Sequence, residues 1–304
     1  MGNTNRKVLF LGNGINRAFD GDSWDELLKK LSNDKGAKYG ENVPMPLRAI
    51  LLTKDGVDKA INSNRSCFYG TIIEPLHSEL LKKLLCAGFD DIITVNYSYE
   101  LESAALGKSS VTENKVAGMM KSTQGRAESV YLLHTYNEVT CGETKNRIWH
   151  IHGECRKPGS IILGHYLYGN LLGRIRNELD RSGNKYYYYQ KQGKSIAFDS
   201  WIDSFILGDI YMLGFGMAYS EFDLWWLLNR RKREKAEKGK VFYFSPQDIG
   251  DEKAALLKML DVDIDNHLGF GAPPDRENDQ ELNQAFYRRF YETAVNDICS
   301  RIQG

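Results

Sequence analysis

The sequence predicts an α/β fold, a parallel sheet covered by helices on both faces, on three observations. Short runs rich in β-branched and aromatic residues alternate with amphipathic segments of helical period. The runs are apolar almost throughout, as strands buried on both faces are. Five of them stop at glycine-rich or polar turns, around Gly12, Asn96, His152, Gly214 and Ser245. Strand ends of this kind are where open α/β sheets collect ligands.

Composition narrows the class. The 304 residues suit one large domain: a core over about 7–32, 74–165 and 206–270, helical additions over about 33–73 and 166–205, and a C-terminal helix over about 282–302. Hydrophobic residues make up 42% and charged residues 26%, ordinary values for a soluble globular chain. Forty basic residues balance forty acidic ones, so no global charge draws the chain to nucleic acid or an anionic membrane. The longest apolar candidate, Phe205–Ala218, is broken by Asp209 and is too short to span a bilayer. MGNTNRK runs straight into VLFLG without an extended apolar signal region and lacks the Ser/Thr of a myristoylation signal, so a cytoplasmic location is expected. Cys67, Cys86, Cys141, Cys155 and Cys299 are scattered and never spaced as CxxC, which indicates neither a disulfide framework nor a zinc site.

Along the chain, Lys7–Leu11 reads as a buried strand ending in Gly12-Asn13-Gly14, followed by the helix WDELLKKL. That layout lets backbone N–H groups approach a phosphate, although glycines there also serve simply to make the turn. Asn16 follows closely enough to add a side-chain hydrogen bond to the same ligand. Ser23 and Glu26 have capping-box spacing, which starts the helix at Trp24. Asn33 to Gly70 is polar, with Pro44 and Pro46, and holds a helix around Leu47–Lys54. Pro75 opens a helix whose Leu76, Leu80, Leu81, Leu84 and Leu85 form a core face, with Gly88 at its end. Asp91–Val95 is the next strand; Asn96-Tyr97-Ser98 follow it, and Glu100 and Glu102 begin a helix. Val130–His134 reads as a strand, the polar stretch through Gly142 as a loop, and Arg147–Ile151 as a strand running into His152-Gly153. Gly159–Gly164 reads as another short strand. The four tyrosines within Lys185–Gln190 form either a base-stacking surface or, more simply, a partly buried segment or oligomer contact. Asp209–Leu213 is a strand ended by Gly214-Phe215-Gly216, and Ser220 has N-cap spacing to Asp223 before the helix carrying LWWLL. The run NRRKREKAEK at its far end reads as a solvated terminus suited to the helix dipole. Val241–Phe244 is a strand ending in Ser245-Pro246, and a helix over Leu282–Ile302 covers the sheet.

Two strand ends carry the side chains of most chemical interest. His152 offers an imidazole, whose ordinary pKa suits proton transfer near neutral pH. Its plain alternative is a strand cap held by a backbone hydrogen bond. Asn96 occupies the same structural position on its own strand, with helix capping as the alternative. Their company argues for a site, because both lie at strand ends beside the first glycine turn.

In order and spacing these stretches resemble the SIR2-like proteins, the sirtuin-fold family, and especially its bacterial branch of NAD hydrolases in anti-phage defence. LGNGIN, with SW before its helix, is similar to the family's first glycine loop, ITVNYSYELE to its TTNYDxxxE segment, and IHGE to its HG motif. IILGHYLY resembles the strand after that motif, LGFGMAYSEFDLWWLL the second glycine turn and its helix, and VFYFS the last nucleotide-contacting strand. The resemblance covers roughly residues 7–270. It implies a Rossmann-like parallel sheet flanked by helices, with helical insertions and no zinc module. It also implies that Asn96 and His152 are the catalytic pair, and that Gly12, Asn13, Gly14, Asn16, Ser98, Gly214, Gly216 and Ser245 bind NAD. Asn13 stands where the family usually has the Ala of GAG, and Ser98 where it has the Asp of NYD, whose carboxylate a short hydroxyl cannot replace. The zinc-binding cysteine module of deacetylating members is missing, which speaks against protein deacetylation.

The function expected on this resemblance is cleavage of the nicotinamide–ribose bond of NAD, with NAD as substrate and no metal, in an effector that depletes NAD during anti-phage defence by abortive infection. A constitutive NAD hydrolase would kill its host, so the resemblance further implies control through a homo-oligomer or a sensing partner such as an ATPase. Two other readings stand beside it: a non-catalytic module that holds NAD or ADP-ribose and reports to a partner, which Ser98 favours, and a protein deacylase or ADP-ribosyltransferase. Neither a nucleic-acid site nor a membrane segment is evident.

Overall fold

Eight strands form one sheet: β1 Lys7–Leu11, β2 Asp91–Thr94, β3 Met120–Ser122, β4 Thr135–Cys141, β5 Thr144–His150, β6 Asp209–Leu213, β7 Val241–Phe244 and β8 Val262–Asp265. The structure, a computed structural model, describes residues 6–32, 43–53, 56–70, 74–109, 113–181, 185–246, 249–265, 269–275 and 279–304. The start MGNTN, residues 33–42 of the first helical addition, and Lys54 therefore lie outside the described residues.

The spatial order is β3-β4-β5-β2-β1-β6-β7-β8. β5, β2, β1, β6, β7 and β8 run parallel, and β4 and β3 complete one edge antiparallel. Taken along the chain, the six parallel strands have the order third-second-first-fourth-fifth-sixth, which is the Rossmann order. The fold is thus the expected α/β class, with an antiparallel pair added.

Helices cover both faces. Val8, Phe10, Trp149, Ile210 and Met212 pack towards Trp201, Phe205 and the Leu224–Leu228 side of helix Phe222–Lys232. Leu9, Leu11, Ile92, Ile148 and Leu213 pack towards helix Pro75–Leu85 and the long helix Gln280–Gln303. Alternate residues of each strand feed opposite cores, which explains why the strands read as continuous apolar runs. The capping box on helix Trp24–Leu31 forms as expected, Ser23 Oγ accepting from Glu26 N and Glu26 from Ser23 N. The expected helix over Leu47–Lys54 is Met45–Leu52, and that over Leu282–Ile302 is Gln280–Gln303, capped by Asp279. No helix among the described residues is long and apolar enough to cross a membrane.

Several expectations need correction. Val130–His134 is irregular and β4 begins at Thr135; Leu132 and Leu133 are buried, so a core-facing loop imitates a strand. The stretch read as a loop is β4 itself, hairpinned to β5 through Gly142 and Glu143. Its inward side chains include Thr135 and Asn137, which erase the apolar signal. Gly159–Gly164 is not a strand: the Ile162 N–H donates to His152 O and the Tyr97 hydroxyl to Ile162 O, outside any ladder. The tyrosine run needs no correction: it is a partly buried segment, the helix Lys185–Lys191, with Tyr186 buried on Asp203 and Tyr188 exposed. Helix Phe222–Lys232 is capped at Glu221, not Ser220, and without a side-chain bond. The basic run is only partly solvated, since Arg231 is 3% exposed and donates to the carbonyls of Phe205, Ile206, Gly208 and Gly239.

Candidate functional site

β1 and β6 are neighbours from which the chain departs in opposite directions, so a crevice opens beyond their carboxyl ends. The two glycine loops meet there. The Gly12 N–H donates to Leu213 O at 2.9 Å and the Gly14 N–H to Gly214 O at 2.7 Å. A Cβ on Gly12 would lie 2.4 Å from Gly214 O, and one on Gly14 would lie 2.8 Å from the same backbone oxygen, so the approach of the loops requires both glycines. Those two amides are spent between the loops and are not free for a phosphate. Gly216 differs: a Cβ there meets no protein atom within 4 Å.

The crevice is a cavity of about 900 Å³, within the range of small-molecule sites. Asn13, Gly14, Asn16, Asn96, Ser98, Gly214, Gly216 and Ser245 line it; Gly12 and His152 do not. The Asn13 amide donates to Asp22 O and accepts from Asn16 Nδ2, so this residue ties the loop to its own continuation. Asn16 Oδ1 sits 3.1 Å from His77 Nε2. Burial, reinforced by Arg288, pushes His77 down to about 4, so its neutral ring donates to Asn16. The Asn16 amide is thereby engaged at both ends within the protein. Arg17 and Lys253 also line the cavity and bring positive charge to the two glycine loops, a contribution that sequence reading missed.

Asn96 and His152 leave neighbouring strands at the same level, because Thr94 pairs with His150 and the Ile151 N–H donates to Thr94 O. Asn96 is half-buried, and its Oδ1 is buried without a hydrogen-bond partner. His152 is wholly buried, edge-on to Tyr168, with Nε2 2.9 Å from Asp223 Oδ2 and Nδ1 unpartnered. Its backbone is pinned by Gly153 at φ +94°, where a Cβ would strike Ser160 O at 2.2 Å.

Burial alone would lower the His152 pKa, but Asp223 and then Glu221 outweigh it and raise it. Glu221 is itself pushed up to about 7, chiefly by burial. It lines the cavity, while Asp223 lies fully buried behind it. Among the described residues, His152, Glu221 and Asp223 are the one group of three whose ligand atoms lie close enough to share a metal ion, all within 4.8 Å of one another. No cysteine belongs to it. The direct His152–Asp223 bond already pairs two of the three, and we treat the group as a hydrogen-bonded acid–base cluster. Its only trace in the sequence is the acidic pair just after the second glycine turn.

Ser98 has company as well. Its hydroxyl lies 2.7 and 2.6 Å from the two carboxylate oxygens of Glu100, which lines the same cavity. Gly70 backs this pair, and a Cβ on it would sit 2.2 Å from Glu100 Oε1.

His150 holds Asn96 from behind. Its Nδ1 donates to Asn96 O at 2.7 Å, and its Nε2 lies 3.0 Å from Glu102 Oε1. Both partners are acceptors, so the ring is an imidazolium. Burial opposes that charge, but Glu102, Glu154 and the Asn96 carbonyl raise the pKa to about 9. The folded value lies above the ordinary one of about 6.5. The stability it contributes is therefore complete below that pH and is lost as pH rises through 9. Tm is expected to fall between pH 7 and pH 10 in the wild type and to fall less in His150→Gln, as measured by thermal unfolding across that window; parallel curves would remove the role.

Comparison of the chain with models of protein families and with curated proteins finds no match.

Proposed function

We propose that the chain hydrolyses NAD at the nicotinamide–ribose bond. The observation that carries this reading is the pairing of Asn96 and His152, level with each other at neighbouring strand ends beside the switch-point cavity, each with a buried polar atom lacking a partner. An unsatisfied buried group costs about 1–3 kcal/mol, and the Asn96 oxygen, on a residue that lines the cavity, persists where a ligand can supply its partner, whereas His152 does not line it. The cations Arg17 and Lys253, which line the cavity, suit a dinucleotide pyrophosphate. As the resemblance implies, the enzyme acts in the cytoplasm as a defence effector, restrained by its oligomeric state or by a sensing partner. Incubation of purified protein with NAD, followed by chromatography for free nicotinamide, tests the activity.

The binding-module reading draws support from the complete burial of His152. It is preferred if NAD raises the melting temperature without being turned over.

On the hydrolase reading, Glu100 supplies the carboxylate missing at position 98 and accepts from the nicotinamide amide. Glu100→Gln is expected to raise KM for NAD roughly tenfold, the loss of a hydrogen bond to the nicotinamide amide, with kcat less affected. An unchanged KM in steady-state kinetics would take Glu100 out of recognition.

A further inference from the structure

The cavity does not reach His152, yet Glu221 of the same cluster lines it. We propose that Glu221 is the catalytic residue that meets the reacting water, with the His152–Asp223 pair as positioning residues behind it. This rests on the hydrolase reading and assigns the proton acceptor within that site.

Four observations carry it. Glu221 lines the cavity although it is only 4% exposed, which places it at the cavity wall and largely shields it from bulk water. Its oxygen lies within 4.8 Å of a ring nitrogen of His152 and of an Asp223 oxygen. The 2.9 Å bond from His152 Nε2 to Asp223 fixes one edge of a fully buried ring, so the imidazole cannot turn towards the cavity without breaking it. Finally, Glu221 caps helix Phe222–Lys232 without a side-chain bond, leaving its carboxyl free of a capping duty. The groups facing it are His152 from the end of β5, Asp223 from its own helix, and Tyr168 of helix His165–Arg181, whose hydroxyl lies 3.5 Å from Glu221 Oε2.

The step balances as follows. The C1′–N bond of the nicotinamide ribose breaks, and its electron pair leaves with nicotinamide, which departs neutral. Water oxygen bonds to C1′, and the proton it loses passes to the Glu221 carboxylate and then to solvent. NAD and water thus give ADP-ribose, nicotinamide and one proton. The ring of His152, held by Asp223, supports the carboxylate form of Glu221 until the proton arrives.

The test compares Glu221→Gln, His152→Gln and the double variant in full-length protein. Glu221→Gln is expected to lower kcat by roughly 10²-fold or more, with KM and Tm near wild type, and the double variant to be no worse than either single one. Wild-type kcat in Glu221→Gln, or losses that multiply in the double variant, would overturn the assignment. A second measurement does not need turnover: in protein labelled with ¹⁵N-histidine, ADP-ribose is expected to shift the His152 ring signals in the wild type and not in Glu221→Gln. If wild-type protein releases no nicotinamide, the hydrolase reading fails, and the histidine signals still decide whether Glu221 connects the pair to the cavity. A shift that persists in Glu221→Gln, or no shift in the wild type, overturns it.

Discussion

Asn96→Ala and His152→Gln are each expected to reduce nicotinamide release by roughly 10²-fold or more, Asn96 as the side chain that positions ribose or water and His152 as the ring that supports the acid–base group Glu221. The bond to be broken joins a ribose to a nicotinamide that leaves as a neutral molecule, so the leaving group needs no proton. What the site must do is hold the ribose while it becomes oxocarbenium-like and direct a water onto it. Asn96 offers an unpartnered buried Oδ1 for a ribose hydroxyl or that water, and its backbone is fixed by His150 and by the Thr94 hydroxyl, which accepts the Asn96 N–H. His152 is the one basic side chain of the cluster, and glutamine keeps a donor for Asp223 while removing the titratable ring. His152→Ala would instead leave the Asp223 carboxylate buried and alone, confounding lost chemistry with lost stability. The measurement is nicotinamide release by each variant under conditions where the wild type is active, read beside its Tm. Near wild-type turnover in both variants, with Tm unchanged, sinks the assignment.

Much of this architecture was legible because the parallel strands are buried on both faces. Lys7–Leu11 and Asp209–Leu213 therefore declare themselves as apolar runs closed by glycine turns, and Val241–Phe244 as one closed by a polar turn. What escaped reading follows from the same physics. β4 turns Thr135 and Asn137 inward, Asn137 serving Glu102 and Glu154 through its amide, so a buried strand looked like a polar loop. Within the site, eight of the ten expected residues line the cavity, but spacing cannot say which hydrogen bonds they spend on one another. The Gly12 amide goes to the end of β6 and the Gly14 amide to the second loop, and the Asn13 and Asn16 amides go to each other and to Asp22 and His77. Glu221 and Asp223 were visible only as a helix start, because their chemistry depends on a histidine about 70 positions away whose approach no local pattern encodes.

Asp91→Ala is expected to cost about 3–5 kcal/mol, the penalty for leaving buried charge without its partner. Asp91 opens β2, is fully buried, and accepts from Arg6 Nε at 2.9 Å, from Arg147 Nε and Nη2 at 2.7 and 3.0 Å, from Trp149 Nε1 at 2.8 Å and from the Ser204 hydroxyl at 2.6 Å. One carboxylate thus joins residues before β1, at the start of β2, within β5 and on helix Trp201–Leu207. Its removal takes the carboxylate partner from two part-buried guanidiniums, which keep only Asp90 and the Phe198 carbonyl, and the acceptor from an indole N–H and a hydroxyl, against a total stability of about 5–15 kcal/mol for a typical domain. Burial raises the Asp91 pKa, but Arg147, Arg6 and the hydrogen bonds outweigh it and hold it below the usual carboxylate value. The folded pKa is the depressed one, so this stability is present above the ordinary value of about 3.9 and is lost as pH falls further. The node lies at the end of β2 and β5 remote from Asn96 and His152, so it sets the register that brings those two level without touching the chemistry. Asp91→Asn keeps the shape while losing the charge, and is expected to lose less stability than Asp91→Ala and to show specific activity that falls only with the folded fraction. Urea unfolding measures both variants: a shift in midpoint at constant slope, larger for alanine, is the expected result. A cost below about 1 kcal/mol for Asp91→Ala, within the range of an ordinary hydrogen bond, would show that the two arginines find other acceptors and that the register is held elsewhere.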